Sequence, residues 1–236
     1  MTGPAGGRAV LEKLRGGLIV SVQAYDGSAI DRSDVLAAMA QAAIANKAVG
    51  IRARGLACLT TMRAAFVAPL IGLVKVAYEG FEPFITPTID DVRAVASTGA
   101  DIVAFDATGR ARPDGSTIAD LVAAAVEAGR LAMADCATFD DALRASEAGA
   151  HIVATTLSGY TRETAGRVLP DLELVERMSA LDTFVVCEGG VHDPVQLREA
   201  LKHGADAVVV GTAITNVDWL VQRFVGSADA SSERPK

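Results

Sequence analysis

A short apolar run rich in β-branched residues, ended by a polar residue and followed by an Ala/Leu-rich stretch of helical period, recurs about eight times along this 236-residue chain. No other feature restricts the fold so strongly. The strand-like runs are residues 18–22, 48–51, 70–74, 102–105, 131–134, 152–154, 184–187 and 207–210. They are nearly continuous in apolar character and do not alternate, which is the pattern of parallel strands covered on both faces.

Helices are expected between them, at residues 33–45, 90–97, 118–128, 140–148, 172–181, 194–202 and 217–224. Thr88, Ser116 and Asp193 stand where N-caps belong, the last directly before Pro194 at a first helical position. Gly99, Gly129, Gly149 and Gly204 follow the helical stretches and fit left-handed C-caps. Eight strand-helix units with no break in composition predict a single (β/α)8 barrel of parallel strands over residues 1–225. An open doubly wound sheet is the alternative, but Val22-Gln23-Ala24-Tyr25 follows the first strand where a G-x-G-x-x-G would be expected. Residues 226–236, rich in Ser, Asp and Ala, read as a disordered tail.

The formal net charge of −7 argues against nucleic acid or an anionic membrane as a general partner, so an anionic ligand has to be caught locally. No apolar run reaches the roughly 18 to 20 residues of a membrane span, and residues 1–8 lack the apolar core of a signal peptide. A cytoplasmic protein is expected. Cys58, Cys136 and Cys187 are widely spaced in apolar surroundings and read as buried thiols. His151, His192 and His203 form no ligand pair, so no metal site is expected, although His192 lies near Glu188 in the chain.

In such barrels chemistry sits at the C-terminal ends of the strands. The residues closing the eight runs are Gln23, Arg52, Lys75, Asp106, Asp135, Thr155 with Thr156, Glu188, and Gly211 with Thr212. Ions gathered at one mouth cost several kcal/mol each to desolvate unless paired, roughly, so a site explains them better than stability does. Lys75 ends an apolar strand that should lower its pKa and suit it to base or imine chemistry. Glu188 ends another and forms a candidate acid-base couple with it. Asp106 is expected either to orient a ligand or to pair with Arg110 or Arg112. Gly189, Gly190, Gly211 and Thr212 follow strands seven and eight, where phosphate-binding barrels offer backbone amides to an anion.

Several strings closely resemble the N-acetylmannosamine-6-phosphate 2-epimerase family. They are Gly50-Ile51-Arg52, Pro69-Leu70-Ile71-Gly72-Leu73-Val74-Lys75, Phe84-Ile85-Thr86-Pro87-Thr88, Ala104-Phe105-Asp106-Ala107-Thr108, Met133-Ala134-Asp135-Cys136-Ala137-Thr138, Thr155-Thr156-Leu157-Ser158-Gly159-Tyr160-Thr161 and Cys187-Glu188-Gly189. The resemblance runs in order from about Gly17 to Phe224 and implies a barrel enzyme of sialic acid and amino-sugar catabolism without cofactor or metal. It implies that Lys75 works at C2 of the sugar, that Glu188 assists, and that Gln23, Arg52, Asp135 and Thr138 contact substrate. It also implies that Gly189, Gly190 and Gly211 hold the phosphate of a sugar-phosphate ligand. The chain departs from the family pattern at Gly190, where a basic residue is frequent, and at Val76, where arginine is common.

The chemistry suits these residues independently. Inverting C2 of an open-chain 2-acetamido aldose requires a base and a stabiliser for the developing enolate oxygen. Two rivals stand beside this reading: a class I aldolase with a Schiff base on Lys75, and a non-catalytic sugar-phosphate-binding barrel. A homodimer is the candidate assembly.

Overall fold

In the computed structural model, which describes residues 4–230, eight strands form a closed parallel barrel in sequence order. They are β1 (Leu18–Val22), β2 (Gly50–Arg54), β3 (Leu70–Leu73), β4 (Ile102–Asp106), β5 (Leu131–Asp135), β6 (Ile152–Ala154), β7 (Phe184–Glu188) and β8 (Ala207–Val210), and β8 closes on β1 through Val20 beside Val210. Helix α1 (Pro4–Leu14) precedes them. Outside the strands follow α2 (Ser33–Ala45), α3 (Leu56–Ala65), α4 (Ile89–Ser97), α5 (Ile118–Glu127), α6 (Phe139–Glu147), α7 (Leu172–Met178), α8 (Pro194–Lys202), the single turn α9 (Thr212–Thr215) and α10 (Val217–Ala230).

The continuous apolar runs have two faces to cover. Ile19, Ile71, Ile102, Met133, Ile152, Val186 and Val209 fill the barrel interior. Their neighbours Val20, Leu70, Val103, Ala134, Val153, Cys187 and Val208 pack outward beneath the helices. Side chains alternate along a strand, so two residues beyond an interior apolar position the chain again points inward. That spacing carries Asp106 past Ala104, Asp135 past Met133 and Glu188 past Val186 into the barrel mouth.

Helix starts follow local chemistry. Thr88, Thr117 and Thr138 each accept from the backbone N–H three residues on, and Asp91, Asp120 and Asp141 reach back in reciprocal capping boxes. The α5 cap is thus Thr117 in place of Ser116, because Asp120 completes the box only at that spacing. Asp193 caps α8 as expected.

Four segments differ from the sequence expectation. Strand β2 lies further along the chain than residues 48–51, with Arg52 paired in register with Ser21 and Ile71. The charge that ended the apolar run is neutralised inside the barrel. Helix α3 begins at Gly55, which offers no side-chain cap, and so gave no start signal; Leu59 and Met62 bury its inner face. Helix α1, diluted by Gly6 and Gly7, closes the bottom of the barrel. Its Leu14 is fully buried among the interior residues, and a Cβ on Gly50 would stand 2.7 Å from Leu14 Cδ2. Arg15 then pairs with Asp206 and lies over the Phe184 ring. At the other terminus α10 runs through Ala230, five residues into the stretch expected as tail; residues 231–236 lie outside the described ones.

Candidate active site

A cavity of about 310 Å³ opens at the C-terminal mouth of the barrel. Gln23, Lys75, Glu188, Gly189, Gly190, Gly211 and Thr212 all line it. With Thr156 after β6, five of the eight strands therefore deliver residues singled out by sequence to one space.

Lys75 is set by a short antiparallel bridge just beyond β3. The Val76 N–H donates to the Phe84 carbonyl and the Thr86 N–H to the Val74 carbonyl, with Lys75 opposite Ile85. Thr86 holds a left-handed φ of 44° there, and its hydroxyl accepts from the Val74 N–H. The lysine stands exposed to the open mouth while protein crowds its stem. That partial burial lowers its pKa, and the guanidinium groups of Arg52 and Arg54 lower it further, against Glu188 and Asp135.

Beneath the cavity lies a buried charge cluster. Arg52, only 1% exposed, makes a bidentate pair with Asp135 through Nη1–Oδ1 at 3.1 Å and Nη2–Oδ2 at 2.8 Å. Its Nε lies 3.2 Å from Glu188 Oε1, a charge contact without hydrogen-bond geometry. One guanidinium therefore faces two carboxylates, and Asp135 takes the better share. Burial, chiefly, raises the pKa of Glu188; Arg52 opposes this and Asp135 adds to it. The Glu188 side chain keeps 14% exposure, towards the cavity. Its backbone is pinned by Thr155, whose hydroxyl lies 2.9 Å from the Glu188 carbonyl and 3.0 Å from its N–H. Thr156 bridges Asp135 and Glu188 at 2.7 and 3.0 Å.

The wall after β7 and β8 is backbone. Gly189 and Gly190 take φ of 105° and 71°, and a Cβ on Gly190 would stand 2.3 Å from Leu169 Cβ. Leucine thus fills the slot from which a basic side chain would start. Turn α9 is pinned to β1 by Thr215, whose hydroxyl donates to the Ser21 carbonyl at 2.7 Å. Gln23 donates to Ser21 Oγ at 2.9 Å, and its buried Oε1 has no partner among the described residues.

Five residues named by sequence stand outside the cavity lining: Arg52, Asp106, Asp135, Thr138 and Thr155. Arg52 and Asp135 occupy the floor below it and reach it through Glu188 and Thr156. Thr138 is not brought to the cavity: its hydroxyl caps α6 by accepting from the Asp141 N–H. Asp106 is tied to Arg110 at 2.6 Å and to Thr108, one of the two pairings expected. His151 accepts from the Ala132 N–H at the start of β5, and His203 caps α8, both away from the mouth. His192 does line the cavity, stacked on Trp219 with ring centroids 5.3 Å apart. Tyr25, Phe84 and Tyr160 join it. These rim residues come from loops, and no periodicity announces them. Among the described residues no group of His, Cys, Asp or Glu is placed to hold a metal ion.

Fold and site together define a barrel enzyme whose mouth brings a lysine of lowered pKa and a glutamate of raised pKa to one cavity. The chain belongs to the N-acetylmannosamine-6-phosphate epimerase family: the family model described as "Putative N-acetylmannosamine-6-phosphate epimerase" matches residues 36–230. A relative from Caldanaerobacter subterraneus subsp. tengcongensis, named "Putative N-acetylmannosamine-6-phosphate 2-epimerase", is 40% identical over 219 residues, 92% of each chain. One of the same name from Klebsiella pneumoniae is 46% identical over 205 residues, 87% of this chain and 86% of its own. The solved structure of the N-acetylmannosamine-6-phosphate 2-epimerase from Clostridium perfringens superposes with a TM-score of 0.89 at 37% identity, covering 92% of this chain and 95% of that one.

Proposed function

We propose that this enzyme interconverts N-acetylmannosamine 6-phosphate and N-acetylglucosamine 6-phosphate by removing and returning the C2 proton of the open-chain sugar, a step of amino-sugar catabolism. The observation that carries the reading is one cavity holding an amine with lowered pKa and a carboxyl with raised pKa. Both shifts run in the direction that C2 inversion uses, the lysine towards base and the glutamate towards acid. The C1 aldehyde acidifies the C2–H bond; Lys75 exchanges that proton, and Glu188 exchanges the proton at the sugar oxygens during ring opening and enolisation. The electron pair of the C–H bond moves into the enolate and returns, so no electrons are gained or lost overall.

Gln23 Oε1 is a free acceptor for a sugar hydroxyl, and Arg52 with Asp135 holds Glu188 in place. Thr138 enters this reading only through the α6 cap beside the site. The 6-phosphate meets backbone amides of Gly189, Gly190, Gly211 and Thr212, which suits an anion in a chain of net charge −7. Exposed Val217, Val221, Phe224 and Val225 share one face of α10, with Phe224 75% exposed, and a second copy of the chain covering that face is the assembly we favour. No described helix is long and apolar enough to cross a membrane; a phosphorylated substrate and three free cysteines favour the cytoplasm.

Proton NMR in D2O with N-acetylmannosamine 6-phosphate tests the proposal. The gluco epimer should appear with deuterium at C2, and Lys75→Met should slow it by about 10²- to 10⁴-fold. Folded protein giving neither product nor exchange would sink the reading. The same lowered amine favours imine chemistry as the second reading, and borohydride capture of a sugar on Lys75 would identify the aldolase.

A further inference from the structure

The cavity floor brings two carboxylates to one hydroxyl. Thr156 Oγ1 lies 2.7 Å from Asp135 Oδ1 and 3.0 Å from Glu188 Oε2. A hydroxyl has a single proton to give. When Thr156 gives it to Asp135, the nearer partner, only a lone pair is left facing Glu188. That second contact is then a hydrogen bond only if Glu188 Oε2 carries a proton of its own. Asp135 has no exposure, and both of its oxygens already accept from Arg52. The charged groups facing Glu188 are Arg52 from β2, Lys75 from the end of β3 and Asp135 from β5. Neither cation donates a hydrogen bond to it; Arg52 Nε approaches to 3.2 Å without the required geometry.

We propose that Thr156 is the proton switch of the site: its hydroxyl donates to Asp135 while Glu188 is a neutral acid, and rotates to Glu188 once that proton has passed to the sugar. The inference rests on the epimerase reading, in which Glu188 exchanges protons with substrate oxygen. In the step itself the Oε2–H bond breaks and a sugar O–H bond forms. Thr156 keeps its own proton and only redirects it. Asp135 loses one of three hydrogen bonds at that moment and retains the two from Arg52, so the switch costs little in either direction. Thr156 is a positioning residue for Glu188, and its place at the end of β6, on the cavity wall between β5 and β7, is what lets it reach both carboxylates.

Thr156→Val keeps the shape and removes the switch, whereas Thr156→Ser keeps the hydroxyl. The pH profile of kcat for N-acetylmannosamine 6-phosphate should separate them. In Thr156→Val the ionised Glu188 loses a charge-assisted donor, so the limb that Glu188 controls should move up by about one pH unit and kcat should fall about tenfold or more, with KM within about threefold. Thr156→Ser should stay within about threefold of wild type on both counts. Equal impairment of the two variants, or a Val variant with an unmoved limb, overturns the proposal. A second readout needs neither variant to fold nor any turnover. Infrared spectra of ligand-free protein at pH 7 should contain a protonated-carboxyl band that Glu188→Gln removes, and its absence also overturns the switch. Wild-type protein that showed this band but no epimerisation would fail the epimerase reading and leave the resting hydrogen bonds as described.

Discussion

Glu188 is held in a state that benefits chemistry at the expense of the fold. Its folded pKa is raised above the ordinary 4.5, so the folded chain binds this proton more tightly than the unfolded chain does. The stabilisation from it is complete below 4.5 and is lost as pH rises from there through the folded value. Glu188→Gln removes a group that must lose its proton in the low-dielectric floor. Urea denaturation at pH 7 to 8 should find the variant more resistant than wild type, with the gap closing as pH falls towards 4.5. A gap that widened on acidification would contradict the assignment. The same variant should be close to inactive, the usual exchange of function for stability at a site. At this scale the sequence was informative about identity and, beyond offering Arg110 or Arg112 to Asp106, silent about ion pairing. Lys75 and Glu188 could be named because each ends an apolar run. That Arg52 spends its bidentate face on Asp135, leaving Glu188 the weaker share, depends on two distances no spacing encodes.

The elements around the mouth are fixed by chemistry more local than the barrel. Thr138 illustrates this: in sequence it follows Asp135 closely and resembles a substrate contact, yet its hydroxyl has a nearer task in the α6 capping box. Thr138→Ala should cost about 1 kcal/mol of stability, as caps do, while KM for substrate stays within about twofold. A KM increase beyond that would return the residue to the binding site. Gly190 shows the opposite dependence. Its φ of 71° and the 2.3 Å approach of an added Cβ to Leu169 make glycine obligatory for two independent reasons. Gly190→Ala should cost roughly 1–3 kcal/mol from strain and overpacking. Leu169→Gly in the same chain, which removes the Cβ that the added methyl would meet, should recover the overpacking part and not the φ part, which thermal unfolding of the two single variants and the double variant resolves. The starts of helices with side-chain caps were legible in the chain to within a residue, whereas α7 ends three residues before the expected 181. Helix α3, opened by Gly55, and helix α1, carrying two glycines, were not, because tertiary packing supplies what their local sequence lacks.

At the scale of the whole molecule the two ends of the barrel have separate duties. Helix α1 seals the bottom with Leu14, while the open mouth at the strand C-termini holds Gln23, Lys75, Thr156 and Glu188. Leu14→Ala should therefore lower stability by about 2–5 kcal/mol, as buried leucines do, yet leave kcat near wild type at temperatures where the chain remains folded. Loss of kcat in step with stability would show that the two ends are coupled. What the chain by itself determined is the number of units, the parallel pairing and the polar residue closing each strand. Those follow from short-range facts: which residues are apolar, how far apart they recur, and where a capping hydroxyl stands. Only the tertiary structure decided which of those polar ends meet, because β2, β5, β6 and β7 come together through ring closure. Arg52, Asp135, Thr156 and Glu188 share one pair of charges and one switching proton only once the barrel is shut, and hydrogen-bond partnership is settled by tenths of an ångström that no local pattern carries.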